Sequence, residues 1–346
     1  MTAKVLAKVF RGDTVESVHR GHLVALDGEG NSIVSIGDPK TVTFYRSAAK
    51  PFQALPFITS GAADAFGFSD EEIALACASH SGEARHIRIA QLMLERTGLS
   101  ESYLRCGPHL PFNEKESERM LRAGEYATQL HNNCSGKHAA MLAFAKHIDA
   151  DLTGYEAPDH PVQQAILTVV AEFARVPEKN VRVAVDGCAA PNYAVPISSM
   201  ASSFADLVAP GRFDETIRSA CERIVSSMMK FPELIGGIER LDTMLMQAAE
   251  GRILSKVGAD GVWLCGVLPC EKYPSGLGIA LKIEDGDDRR ARPVVAVELL
   301  KRLKILVPDA LPEVSPMPIK SRRSDVVGHV EAAIPELQIQ HLSFDV

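Results

Sequence analysis

"FYRSAAKPFQALPF", residues 44–57, is the stretch on which the reading of the chain turns. It sets Ser47 three residues ahead of Lys50, with Phe52, Leu55 and Phe57 at helix-like spacing behind them. Three residues apart on a helix, two side chains share a face and can touch. A serine hydroxyl is a poor nucleophile until a base takes its proton, and a partly buried lysine of lowered pKa is such a base. The plainer alternative is an N-cap serine beside a solvated lysine. Pro51 fits only if the helix begins near Ser47, where the first amides lack partners anyway, and Pro56 predicts a kink or a short helix.

Upstream of this stretch, residues 3–9 and 14–36 read as strands, the second span interrupted by the turn signal Asp27-Gly28-Glu29-Gly30-Asn31. Downstream, Ser69 with Asp70, Glu71 and Glu72 starts a helix that breaks at Ser79-His80-Ser81-Gly82, and a second runs from about Glu83 to Arg96. Further helices are expected up to His147 and over 161–175, 213–229 and 236–249. A short strand over 181–193 ends in a Gly-rich turn. "GVWLCGVLP" (261–269) and "GLGIALKIEDG" (276–286) read as strands, and "PVVAVELLKRL" (293–303) as a helix. Strands at both ends around a helix-rich middle predict an α/β fold with one sheet built from both termini. The expected division is a discontinuous sheet domain of 1–50 and 251–346, and a mainly helical domain of 51–250 carrying Cys134 and Cys188.

The chain has 346 residues, room for about two domains, and a net charge of −7. An acidic balance disfavours nucleic acid, because a phosphate backbone calls for a basic face. The N-terminus lacks the apolar stretch of a signal peptide, and no run approaches the ~18 apolar residues of a membrane span, so a cytoplasmic protein is expected. The seven cysteines are odd in number and irregular in spacing, which argues against a disulfide framework.

Four further stretches could carry chemistry. "CASHSGE" (77–83) sets Ser79, His80 and Ser81 among small residues after a helix, where backbone can approach a ligand; a Gly-rich helix end is the alternative. "HNNCSGKH" (131–138) crowds His131, Asn132, Asn133, Ser135 and His138 around Cys134 and Lys137, a density of polar groups that is hard to bury without purpose. "VDGCAAPN" (185–192) places Asp186 and Cys188 just past a strand end. Asp186 could hold an ammonium group, and Cys188 could join Cys134 around a soft metal such as zinc. "LSKVGADGVW" (254–263) sets Lys256-Val257-Gly258 immediately before a strand. Serine hydrolases of the penicillin-recognising class pair S-x-x-K near a helix start with K-[ST]-G on a strand, and Lys256-Val257-Gly258 echoes the second motif without its hydroxyl.

Taken in order, "YRSAAKPFQALP", "CASHSGE", "HNNCSGKHAAML", "VDGCAAPNYAVP" and "KVGADGVW" resemble the Rhizobium-type L-asparaginases, the asparaginase II family, over nearly the whole chain. The resemblance implies hydrolysis of L-asparagine to L-aspartate and ammonia. It also implies a fold similar to serine β-lactamases and related glutaminases, and a homodimer. By motif it implies two serine–lysine pairs, Ser47 with Lys50 and Ser79 with Lys256. It further implies a zinc ion held by Cys134, Lys137 and Cys188, and substrate contacts from Arg46 and Asp186, with His138 and Asn133 placed in the same substrate-binding set. The expected course is acylation of a serine, loss of ammonia, and hydrolysis of the ester. Ser47 is favoured as nucleophile because Lys50 is near it in the chain. Alternatives are a glutaminase or penicillin-type hydrolase on the same fold, or a zinc- or amino-acid-binding protein without turnover.

Overall fold

The computed structural model describes residues 2–335; residue 1 and residues 336–346 of the expected sheet domain lie outside the described residues. The strands in chain order are β1 (Lys4–Arg11), β2 (Thr14–Asp27), β3 (Ser32–Ile36), β4 (Val42–Phe44), β5 (Arg182–Val185), β6 (Pro191–Pro196), β7 (Ile253–Val257), β8 (Val262–Val267), β9 (Leu277–Ile283), β10 (Met317–Lys320) and β11 (Val326–Ala332). Two compact units emerge. One is Met1–Thr43, Pro196–Ala209 and Ala248–Val346, read over the described residues; the other is Phe44–Val195 and Pro210–Gln247.

The first unit holds an eight-stranded sheet in the order β10-β11-β1-β2-β9-β8-β7, with β3 also paired to β2. Its strand pairs are antiparallel and come from both ends of the chain, as the sequence order implies. At the expected turn, Asp27 Oδ1 accepts the amides of Glu29 and Asn31 at 3.0 and 2.8 Å. Every residue of β8 is buried, so both faces of the sheet are covered there. One cover is the helix Ile197–Val208, which packs on β2, β8 and β9. A Cβ at Gly278 would lie 1.8 Å from the Ala201 carbonyl oxygen, so only glycine admits the helix at this distance. The helix Ala291–Arg302 packs on β1 and β11. Sequence reading missed four of these elements: β7, whose Lys256 and Val257 were expected just ahead of a strand, β10, β11 and the helix Ile197–Val208. That helix falls inside the expected span 51–250 but clusters with the sheet.

The second unit is built on the helix Lys50–Thr59, whose residues from Lys50 to Ile58 are all buried. It packs against the helices Asp70–Ala76, Ser135–His147, Pro161–Phe173 and Glu215–Lys230. Pro56 sits inside the helix without ending it, and the chain leaves at Ser60, whose amide donates to the Pro56 carbonyl at 3.1 Å. Ser69 opens the next helix as expected, its amide donating to Glu72 Oε2 at 2.7 Å. The strand expected over 181–193 is a hairpin of β5 and β6 in which Val185 faces Pro191. The helix expected over 236–249 is shorter, Leu241–Ala248. Gly237 at φ 113° and Glu239 at φ 63° hold the preceding residues in a left-handed turn. Among the described residues no helix is long and apolar enough to cross a membrane.

Candidate active site

Ser47 lies in a short 3-10 turn, Arg46–Ala49, that runs directly into the helix beginning at Lys50. Apolar neighbours bury Lys50 to 1% exposure, so its ammonium must find oxygen acceptors. It finds three: Nζ donates to the Ala78 carbonyl, to Ser79 Oγ at 3.0 Å and to the Asn133 carbonyl at 3.2 Å. The nearest serine partner of Lys50 is therefore Ser79, contributed by a different segment, and not Ser47. Ser47 is half-buried, and among the described residues its hydroxyl has no hydrogen-bond partner. Lys256 belongs to the other compact unit; it lies on β7, fully buried, with Nζ donating to the Val257 carbonyl at 3.0 Å.

The Ser79 segment is fixed at successive points. The Ser79 amide donates to the Ile235 carbonyl at 2.8 Å, and Ser81 Oγ donates to the Gly236 carbonyl at 2.6 Å. Glu83 Oε1 accepts from Asn113 Nδ2 at 3.1 Å. Between them, His80 is fully buried. Its Nδ1 accepts the Gly82 amide at 3.2 Å, which leaves Nε2–H to donate to Ser135 Oγ at 2.9 Å. Burial first, then His86 and Lys50 nearby, hold the His80 pKa well below the ordinary 6.5.

Arg46 and Asp186 meet across two loops, Nε to Oδ1 at 2.9 Å. Arg46 has φ 51°, a strained conformation for a residue with a Cβ, and Asn192 Oδ1 holds it there by accepting its amide at 3.0 Å. Asp186 starts the turn between β5 and β6. Its Oδ1 also accepts the Gly187 amide at 2.9 Å, and its own amide donates to the Ala190 carbonyl at 2.9 Å. A guanidinium and a carboxylate side by side match the two charged groups of an α-amino acid.

The third cluster joins the helix Ser135–His147 to that same turn. Lys137 Nζ lies 2.9 Å from Cys188 Sγ, and both groups are buried. The neighbouring Cys134 thiol holds Cys188 well below the usual thiol range against its burial, with Lys137 and His138 adding to the effect. The same contact, with burial, pushes Cys134 up. Burial opposes the Lys137 charge, but the Cys188 and Cys134 sulfurs outweigh it and raise its pKa. His138 Nδ1 lies 2.7 Å from the Tyr155 hydroxyl. Its Nε2 is buried with no hydrogen-bond partner among the described residues, while Cys188 partly offsets the lowering of its pKa by burial. Cys106, pushed up to about 12 by burial, lies near the same sulfur. Among the described residues no group of three or more His, Cys, Asp and Glu side chains stands ready for a metal. Two sulfurs and an orphaned imidazole nitrogen are nonetheless donors of the kind zinc takes, while the Lys137 amine must first lose its proton.

Arg46 and Asp186 thus meet, Lys50 joins Ser79 and Asn133, and Cys134, Lys137, Cys188 and His138 form a third group. The motif reading missed His109, Tyr155 and Asn113, which brace these groups from lone positions that no local pattern marks.

A family model described as L-asparaginase II matches residues 7–332. No curated protein matches the chain. Among solved structures, a probable glutaminase from Bacillus subtilis complexed with 6-diazo-5-oxo-L-norleucine is similar at 12% identity and TM-score 0.39, covering 83% of this chain and 85% of its own. The covalent complex of the Bacillus subtilis glutaminase YbgJ with 5-oxo-L-norleucine is similar at 11% identity and TM-score 0.38, covering 83% and 89%. Mglu is similar at 17% identity and TM-score 0.38, covering 84% and 68%. With its motifs in order and the family match spanning nearly its full length, the chain belongs to the L-asparaginase II family, a family of amidohydrolases.

Proposed function

We propose that the protein hydrolyses L-asparagine to L-aspartate and ammonia through a serine–lysine mechanism. The observation that carries the reading is the buried ammonium of Lys50, held 3.0 Å from Ser79 Oγ with two backbone carbonyls as its other acceptors. A lysine placed for solvation would not be enclosed this way.

Ser47 is the nucleophile, because it is half-buried on the turn that follows Arg46 and leads directly into Lys50. Lys50, one turn further on, takes the Ser47 proton in its neutral form, and Ser79 relays protons with it. Lys256, fully buried on β7, is the second lysine that the family motifs imply. Arg46 clamps the α-carboxylate and Asp186 the α-ammonium, with Asn133 and His138 lining the substrate. The hydroxyl adds to the side-chain amide carbonyl, ammonia leaves after protonation, and water hydrolyses the aspartyl ester with the same groups as base and acid.

Cys134, Lys137 and Cys188 would hold a zinc ion. A bound zinc supplies positive charge that organises the pocket or polarises an oxygen. The protein is further proposed to act in the cytoplasm as a homodimer, a setting that suits the free thiols of all seven cysteines.

Ammonia release from L-asparagine and L-glutamine, measured side by side, tests the reading. The two substrates differ by one methylene, worth ~1–3 kcal/mol in a pocket, so a preference of about tenfold or more for asparagine is expected. Faster release from glutamine would make the protein a glutaminase, and no release from either would leave a binding protein.

A further inference from the structure

The loop between the helices Ala84–Arg96 and Glu114–Ala123 carries a histidine that neither the motif reading nor the proposed mechanism uses. His109 Nδ1 lies 2.7 Å from the Leu110 carbonyl oxygen, which can only accept, so Nδ1 carries the proton. Nε2 is then a lone pair, and the Asn133 amide donates to it at 2.9 Å. In this tautomer the 3.2 Å contact of Nε2 with Asn133 Oδ1 sets two acceptors face to face and is not a hydrogen bond. That oxygen also lies 3.6 Å from Cys134 Sγ. The imidazole stacks on Phe112 with ring centroids 4.7 Å apart, which fixes its plane.

Asn133 is one of the three residues that hold the Lys50 ammonium, through its carbonyl at 3.2 Å. The peptide bearing that carbonyl is pinned on its other side, where the Cys134 amide donates to Asn132 Oδ1 at 2.8 Å. His109 supplies the remaining constraint, on the amide of Asn133 itself. With both its amide and its carbonyl bonded, Asn133 has little freedom to rotate, and the acceptor it offers Lys50 stays where it is.

Resting on the serine–lysine reading above, we propose that His109 is a positioning residue: by accepting the Asn133 amide, it aims the Asn133 carbonyl at Lys50 and sets where the Lys50 amine stands. The loss of this bond should fall mainly on the chemical step, because Lys50 moves protons and the Arg46–Asp186 pair that binds the α-amino acid groups is untouched.

Two variants separate the hydrogen bond from the packing. His109→Phe keeps a ring to stack on Phe112 and has no acceptor; His109→Gln places an acceptor oxygen near the position of Nε2. The expected result with L-asparagine is a kcat about tenfold lower in His109→Phe with KM within about threefold, and recovery of most of that loss in His109→Gln. Amide hydrogen exchange gives a readout that needs no turnover: exchange at Asn133 should speed up in His109→Phe and stay slow in His109→Gln. Unchanged kcat and exchange in His109→Phe, or equal losses in both variants, would overturn the proposal. Should the wild type release no ammonia, the proposed function fails, while exchange at Asn133 still supports or overturns the His109 contact.

Discussion

The Lys50 ammonium lies 3.0 Å from the Ser79 hydroxyl, joining residues 29 positions apart in a buried bond. Lys50→Met keeps most of the stem and removes the amine. We expect a fall in activity of at least about a hundredfold, the scale of a lost general base. Stability should change by no more than about 3 kcal/mol, because two carbonyls lose a partner while a buried charge disappears. Ammonia release and urea unfolding measure both, and near-normal turnover would remove Lys50 from the mechanism.

Asp186→Asn tests the clamp. The 2.9 Å pair with Arg46 loses its charge, and so does the proposed contact with a substrate ammonium. A charge-assisted hydrogen bond is worth about 1.5–3 kcal/mol, which predicts a KM for L-asparagine about 10- to 100-fold higher with a smaller change in kcat. Steady-state kinetics would contradict the assignment if KM stayed put.

Metal analysis tests the sulfur cluster. Purified protein should carry about one zinc per chain, and Cys134→Ser and Cys188→Ser should each lose most of it. Zinc affinity should weaken as the pH falls, since Lys137 and the thiols must give up protons to bind. Equal zinc in the wild type and in the double variant would place the metal elsewhere.

Buried histidines predict acid lability. Burial lowers the pKa of both His80 and His86 below the ordinary 6.5. The unfolded chain therefore takes up protons, as pH falls through 6.5, that the folded chain refuses. Stability from these groups is complete above that pH and is lost below it, by up to about 1.4 kcal/mol per pH unit for each ring. Urea midpoints from pH 7.5 down to 5 should fall accordingly, and fall less in His80→Asn. A flat profile would contradict the buried neutral state.

Much of this was legible in the sequence because the signals are local. Ser69 with Glu72, the turn at Asp27–Asn31 and the β8 and β9 runs act within a few residues of themselves. The helix Ile197–Val208 was missed because its serines and the preceding Pro196 dilute an apolar face that only the sheet reveals. The oxygens that hold Lys50 in the folded chain were not legible for a related reason. Spacing brings Ser47 to the same helix face, but burial decides where a flexible ammonium ends, and the oxygens that complete its shell come from Ala78, Ser79 and Asn133. His109 gave no sequence signal, since its role depends on one backbone amide 24 residues away.

The most direct test of the central claim is to find which residue carries the acyl group. A diazo-ketone analogue of asparagine, 5-diazo-4-oxo-L-norvaline, should alkylate the attacking oxygen, and peptide mass spectrometry should place the adduct on Ser47. Ser47→Ala should stay folded, since a serine in a helix-start turn contributes at most about 2 kcal/mol, yet release no ammonia and take no label there. An adduct on Ser79 would exchange the roles of the two serines. A Ser47→Ala protein that keeps more than about a tenth of the wild-type ammonia release, a loss of under about 1.4 kcal/mol, would contradict the account.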